Sequence, residues 1–180
     1  MFRWAMMVAA LLSAMMASPV AAQVALSIHS REFGNTFPHA FVTFEGTLSD
    51  GTAVPLTGVG FTARRLSPAI LMGSVEGEVE AITGRDLTRG TNHFTVMLDD
   101  AAYGRMLAVI ADWRGREGRS YNLERANCIH FVMDIARAVG LATNPDTRFR
   151  KRPRAFSEEL KALNPTLALP PRPVSAADAG

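Results

Sequence analysis

The hydrophobic pattern of this chain changes period once, near residue 99, and that change limits the fold more than any other feature. Before it, apolar and β-branched residues fall in short runs separated by turn-forming stretches, which is the signature of strands. The runs are residues 23–30, 39–45, 57–64, 74–82 and 92–98, and the strongest is 39–45. Asp50-Gly51 is a hairpin turn signal, and residues 67–73 and 84–90 read as connectors. After the change, Tyr103, Met106, Leu107, Ile110 and Trp113 repeat at helical spacing. Asp99 and Asp100 are placed to cap and charge the start of that helix. A second helix is predicted over 127–139, with Cys128, Phe131, Val132, Ile135 and Val139 on one face and Gly140 as its stop. A short third helix is predicted over 157–163. Strands first and helices afterwards give an α+β domain, an antiparallel sheet packed against helices.

The N-terminus has a different composition. Arg3 precedes an apolar run from Trp4 to Met16, Ser18-Pro19 breaks it, and Val20 and Ala22 supply small residues at the positions a signal peptidase reads. Residues 1–22 are therefore expected to be a signal peptide, and the run is shorter than the ~20 residues a membrane span needs. Residues 23–163 are the length of one domain. Residues 164–180, rich in Pro and Ala, are expected to be a disordered tail. The expected location is periplasmic or secreted, with no transmembrane segment after cleavage. The chain has 19 basic and 17 acidic residues, a near balance that gives no reason to expect nucleic acid. Arg148, Arg150, Lys151, Arg152 and Arg154 form one basic cluster, expected as a solvated loop, with contact to an anionic polymer or membrane surface as its alternative.

One cysteine, Cys128, is present, so no intramolecular disulfide forms. An unpaired thiol in an exported protein is exposed to oxidation, and its presence asks for a reason. It is either a buried, inert hydrophobe or a nucleophile. Asn127 stands at the helix N-cap and Cys128 is the first residue inside. Free N–H groups and the positive helix end favour a thiolate there and can hold an oxyanion. The available bases are His29, His39, His93 and His130. His130 is two residues from Cys128 on one helix and points to another face. His93 is expected to have no catalytic task. His39 opens the strongest strand after a loop containing Gly34, Asn35 and Pro38, and such a strand end can meet a helix N-terminus across a cleft. Asp99 and Asp100 have no further ligand at metal spacing beside them, so no metal or cofactor is expected.

The segment Tyr121-Asn122-Leu123-Glu124-Arg125-Ala126-Asn127-Cys128-Ile129-His130-Phe131-Val132, continuing to Gly140-Leu141, resembles the nucleophile helix of papain-like NlpC/P60 proteins. Pro38-His39-Ala40-Phe41-Val42-Thr43-Phe44 resembles their histidine strand. Here the histidine precedes the cysteine, an order that resembles the circularly permuted branch, which includes lecithin:retinol acyltransferase-like proteins and bacterial relatives. The resemblance implies a papain-like fold and a thiol enzyme acting on amide or ester bonds. It also implies a third catalytic member, a polar residue on the strand after the histidine. If Asp50-Gly51 is a two-residue turn, His39 faces Thr62, which makes Thr62 the candidate; Glu45 shares the His39 face farther along. Tyr121 either lines the cleft or packs. The expected function is a cysteine hydrolase or amidase using Cys128 and His39 on a peptide or acyl substrate, with peptidoglycan peptides favoured by export. The alternatives are an inactive binding module on the same fold and a lipid acyltransferase or thioesterase. Oligomeric state is not legible.

Overall fold

The computed structural model describes residues 23–32 and 37–170. The expected signal peptide lies outside the described residues. Five strands form one sheet: β1 (Gln23–Arg31), β2 (His39–Thr47), β3 (Ala53–Ala63), β4 (Gly77–Ala81) and β5 (Thr91–Leu98). Their order is β4-β3-β2-β1-β5 and every neighbouring pair is antiparallel. The two connectors hold short helices, α1 (Ala69–Met72) and α2 (Gly84–Arg89). Three longer helices follow: α3 (Asp100–Arg114), α4 (Cys128–Ala138) and α5 (Pro153–Leu163).

The capping expectation for α3 is met by Asp99, whose carboxylate accepts from Ala102 N at 2.7 Å. Asp100 turns outward and accepts from Ser49 N at 3.1 Å, tying α3 to the β2–β3 loop. Helix α5 begins four residues before the predicted start, because Pro153 at the first turn needs no amide partner.

The helices cover one face of the sheet. Val24, Leu26 and Ile28 of β1, Val42 and Phe44 of β2, Val59 and Phe61 of β3, and Phe94 and Val96 of β5 form a single core with Met106, Trp113, Phe131, Ile135, Phe156 and Leu160. Phe61 is at its centre, edge-on to Trp113 with ring centroids 4.6 Å apart. The opposite face is also buried, with polar pairs beside a second apolar cluster of Phe41, Ile82 and Leu87. Ser27 Oγ lies 2.7 Å from Thr95 Oγ1, and His29 Nε2 lies 2.9 Å from Thr43 Oγ1.

The β2–β3 register shows how the strand start is aimed. The loop spans five residues, since Thr47 pairs with Ala53, Leu48 N donates to Thr52 O and Asp50 Oδ1 accepts from Thr52 N. An irregularity between Phe44 and Gly46 then shifts the pairing, so that Phe41 faces Gly60 as a two-residue turn at Asp50-Gly51 would have placed it. The longer loop and the bulge offset one another. Gly46 carries φ +151, and a Cβ there would sit 2.0 Å from Gln23 O, so only glycine fits the kink.

Past α5 the chain is anchored rather than loose as far as residue 170. Asn164 is buried, its side chain accepting from Ala142 N and donating to Ala142 O and Leu160 O. Leu169 exchanges two backbone hydrogen bonds with Thr95, adding one rung to the outer edge of β5. The part of the expected disordered tail that is described, 164–170, is thus held by a buried amide that composition alone does not reveal.

Candidate active site

The thiol and the histidine strand meet at one end of the sheet. Asn127 is the N-cap of α4: its Oδ1 accepts from Ile129 N at 2.9 Å and His130 N at 3.3 Å. Its Nδ2 donates to Leu123 O and Arg150 O, so one buried side chain fixes the helix start to both flanking loops. His130 Nδ1 lies 2.9 Å from Asn127 Oδ1, which commits this imidazole to the cap and away from the thiol.

Cys128 is then the first helical residue, 6 % exposed. The backbone N–H groups of Ala40, Ile129 and Cys128 itself are directed at the sulfur and favour its ionised form. Ala40 immediately follows His39, so the sulfur stands against the start of β2. Burial outweighs those N–H groups, and the Glu80 charge adds to it, so the thiol is pushed up to about 11. The thiolate expected from the helix end alone is therefore not the resting form.

His39 is 5 % exposed. Burial, reinforced by the Arg31 guanidinium and opposed by Asp86, lowers its pKa to about 4. Its ring lies over Gly60, where an added Cβ would meet Nε2 at 2.3 Å. That missing side chain opens the way to β4, where Glu80 Oε1 stands 3.3 Å from His39 Nε2, near enough for an ion pair but off the line of a hydrogen bond. Glu80 is opposite Gly60 in the ladder, and burial raises its pKa against the pull of Arg31. Arg31 faces His39 across β1 and β2 and contacts Asp86 of α2 at 2.6 Å.

Thr62 pairs with Glu78 on β4, and among the described residues no hydrogen bond joins it to His39. The polar group at the ring is Glu80, one strand beyond the expected one. The missing side chain at Gly60 lets Glu80 reach across β3, an arrangement that exists only once the strands are paired. His39 shares its sheet face with Phe41 and lies over Gly60, whereas Cys128 packs with Ala40 and Val42 on the helix face. The thiol and the imidazole thus stand on opposite faces of β2, and no hydrogen bond joins them among the described residues. Tyr121 is stacked on Phe61 at 5.8 Å, a packing contact, and burial together with the Cys128 charge raises its pKa. His93 is held between Ser30 Oγ at 2.8 Å and Glu158 Oε1 at 2.6 Å, on the helix side of β5. Glu45 lies opposite Ala25, far along β2 from His39.

A five-stranded antiparallel sheet, with a helix whose first residue is a cysteine set against a histidine-bearing strand, is an α+β domain of papain-like fold. It is similar in structure to a type VI secretion system effector, TseH, with a TM-score of 0.50 over 79% of this chain and 90% of the effector's. The two sequences are 15% identical, so the relationship is a distant one of fold. No protein-family model matches the sequence, and no curated protein matches it either.

Proposed function

We propose that this protein is an exported cysteine hydrolase of the permuted NlpC/P60 kind, cleaving an amide or ester, with a cell-wall peptide as the favoured substrate. The observation that carries this reading is the placement of Cys128 Sγ against three backbone N–H groups at the joint between the α4 N-terminus and the start of the His39 strand. Such N–H groups stabilise the oxyanion of a tetrahedral intermediate when an acyl group is bound there. Thiol and imidazole rest as a neutral pair, one raised and the other lowered by the same burial. A base takes the thiol proton as sulfur attacks the carbonyl and returns it to the leaving amine or alcohol. His39 is the proposed base, and its ring has to turn around the open start of β2 to reach the sulfur. Glu80, rather than Thr62, orients the imidazole and stabilises its protonated form. Water then attacks the thioester and frees Cys128. The expected signal peptide at residues 1–22 fits action on a wall outside the cytoplasm. The reaction needs no cofactor.

The test is an acyl-enzyme trap. Wild type and Cys128→Ala are incubated with muropeptides and with short-chain acyl esters, quenched in acid and mass-measured. A thioester adduct on wild type alone supports the reading, and turnover surviving in Cys128→Ala ends it. A second reading, a binding module without turnover, is favoured by the raised thiol and by the absence of a Cys128–His39 hydrogen bond among the described residues. It predicts no adduct with any substrate, and iodoacetamide labelling no faster than that of an ordinary buried thiol.

A further inference from the structure

The segment between β3 and β4 exposes what a folded domain ordinarily hides. Residues 64–72 read Arg-Arg-Leu-Ser-Pro-Ala-Ile-Leu-Met, and α1 within it buries no residue. Leu66 is 57% exposed, Leu71 79% and Met72 88%, with exposed Arg65 beside them and Arg64 paired to Glu76 and Glu78. Isolated apolar side chains on a surface need no account, but three on one short projection do.

This projection is tied to the loop that leads into the thiol helix. Val75 pairs with Tyr121, Arg119 Nε donates to Ser74 O at 2.6 Å, and Asn122 Nδ2 donates to Ser74 Oγ. Through Asn127 that loop is joined in turn to the basic loop at Arg150. Most acids of this region are engaged: Glu124 with Lys151, Asp146 with Arg150, Glu158 with His93, Glu159 with Asn144, and Glu76 and Glu78 with Arg64, while exposed Glu117 shares the cleft beside Arg64. Arg65, Arg125, Arg148, Arg152 and Arg154 are exposed and have no acidic partner among the described residues.

We propose that the 64–72 projection and the arginines around the α4 N-terminus form one docking surface for an anionic lipid bilayer. Leucine and methionine side chains enter the acyl boundary while guanidinium groups meet lipid phosphates. A soluble anionic polymer would use the arginines but leave Leu66, Leu71 and Met72 in water, and this is why a bilayer is the better fit. The proposal is independent of turnover, so it stands or falls separately from the hydrolase reading.

The test is co-sedimentation of the isolated protein, carrying Cys128→Ala to remove chemistry, with phosphatidylglycerol-containing and with pure phosphatidylcholine vesicles. Anionic vesicles should bind at least about tenfold more tightly. Leu71→Ser with Met72→Ser should weaken that binding by about tenfold or more at every salt concentration. Arg125→Gln, Arg148→Gln and Arg152→Gln should each weaken it by about fivefold at low salt and by less at high salt. All these side chains are exposed, so circular dichroism should show unchanged folding, and every variant keeps the same N-terminus. Equal binding to both vesicle types, or variants that bind like their parent, overturns the proposal. So does capture by dextran sulfate that anionic vesicles fail to displace.

Discussion

The two faces of the sheet are both buried, yet they are held in different ways. On the helix side, Leu26, Ile28, Val42, Phe61 and Phe94 pack without a polar atom to satisfy. On the other side, Ser27, His29, Thr43 and Thr95 are equally hidden, and each side chain depends on one neighbour across the ladder. Apolar packing is non-directional and tolerates small shifts, whereas a buried hydrogen bond is costly when one partner is lost. His39, Glu80 and Arg31 sit on the polar side and Cys128 on the apolar one, so the two proposed catalytic groups belong to faces held in different ways.

The comparison breaks most severely at Phe61. Phe61→Ala should cost about 3–5 kcal/mol, read as a lower urea midpoint, because it empties the space between Trp113, Tyr121 and Phe131.

Acid should attack the polar face selectively. His29 and His39 both have pKa values of about 4 when folded, from an ordinary 6.5, burial being the larger cause for each. The unfolded chain therefore takes up protons first, and stability rises with pH across this interval. It should be full above about 6.5 and fall progressively towards about 4. The loss is on the order of 3 kcal/mol per imidazole at the acid end. Thermal melts from neutral to acid pH measure it, and a flat profile would show that the imidazoles accept charge in place.

Gly60→Ala tests the site itself. The new methyl group would displace the His39 ring, at a cost of about 1–3 kcal/mol, and should lower kcat of the proposed reaction more than it raises KM.

The polar ladder is tested more finely by Thr43→Val, which strands His29 Nε2 and should cost about 1–3 kcal/mol. Replacing both partners of the Ser27–Thr95 bond, as Ser27→Ala with Thr95→Val, should cost less than either single change, because no orphaned hydroxyl remains. The smallest effect belongs to Thr62→Val, within about 0.5 kcal/mol and with unchanged turnover, whereas Glu80→Gln should depress turnover and alter its pH profile.

The sequence by itself determined the elements and the thiol's place. Runs of apolar and β-branched residues bounded by turns located five strands, with β3 starting four residues before its expected start, and helical spacing located α3 and α4 with their ends within a residue or two. Asn127 before Cys128 named the N-cap, because capping chemistry is local to three or four residues. What lay between distant segments was not legible. A five-residue loop and a compensating bulge at Gly46 look, in sequence, like a two-residue turn. The partner of His39 depended on an empty position at Gly60 and a carboxylate on the next strand, neither of which carries a signal before the strands are laid side by side. The protonation states were likewise decided by tertiary structure. A helix N-terminus alone favours a thiolate, and the enclosing sheet and helices reversed that balance, because desolvating a charge outweighs three oriented N–H groups.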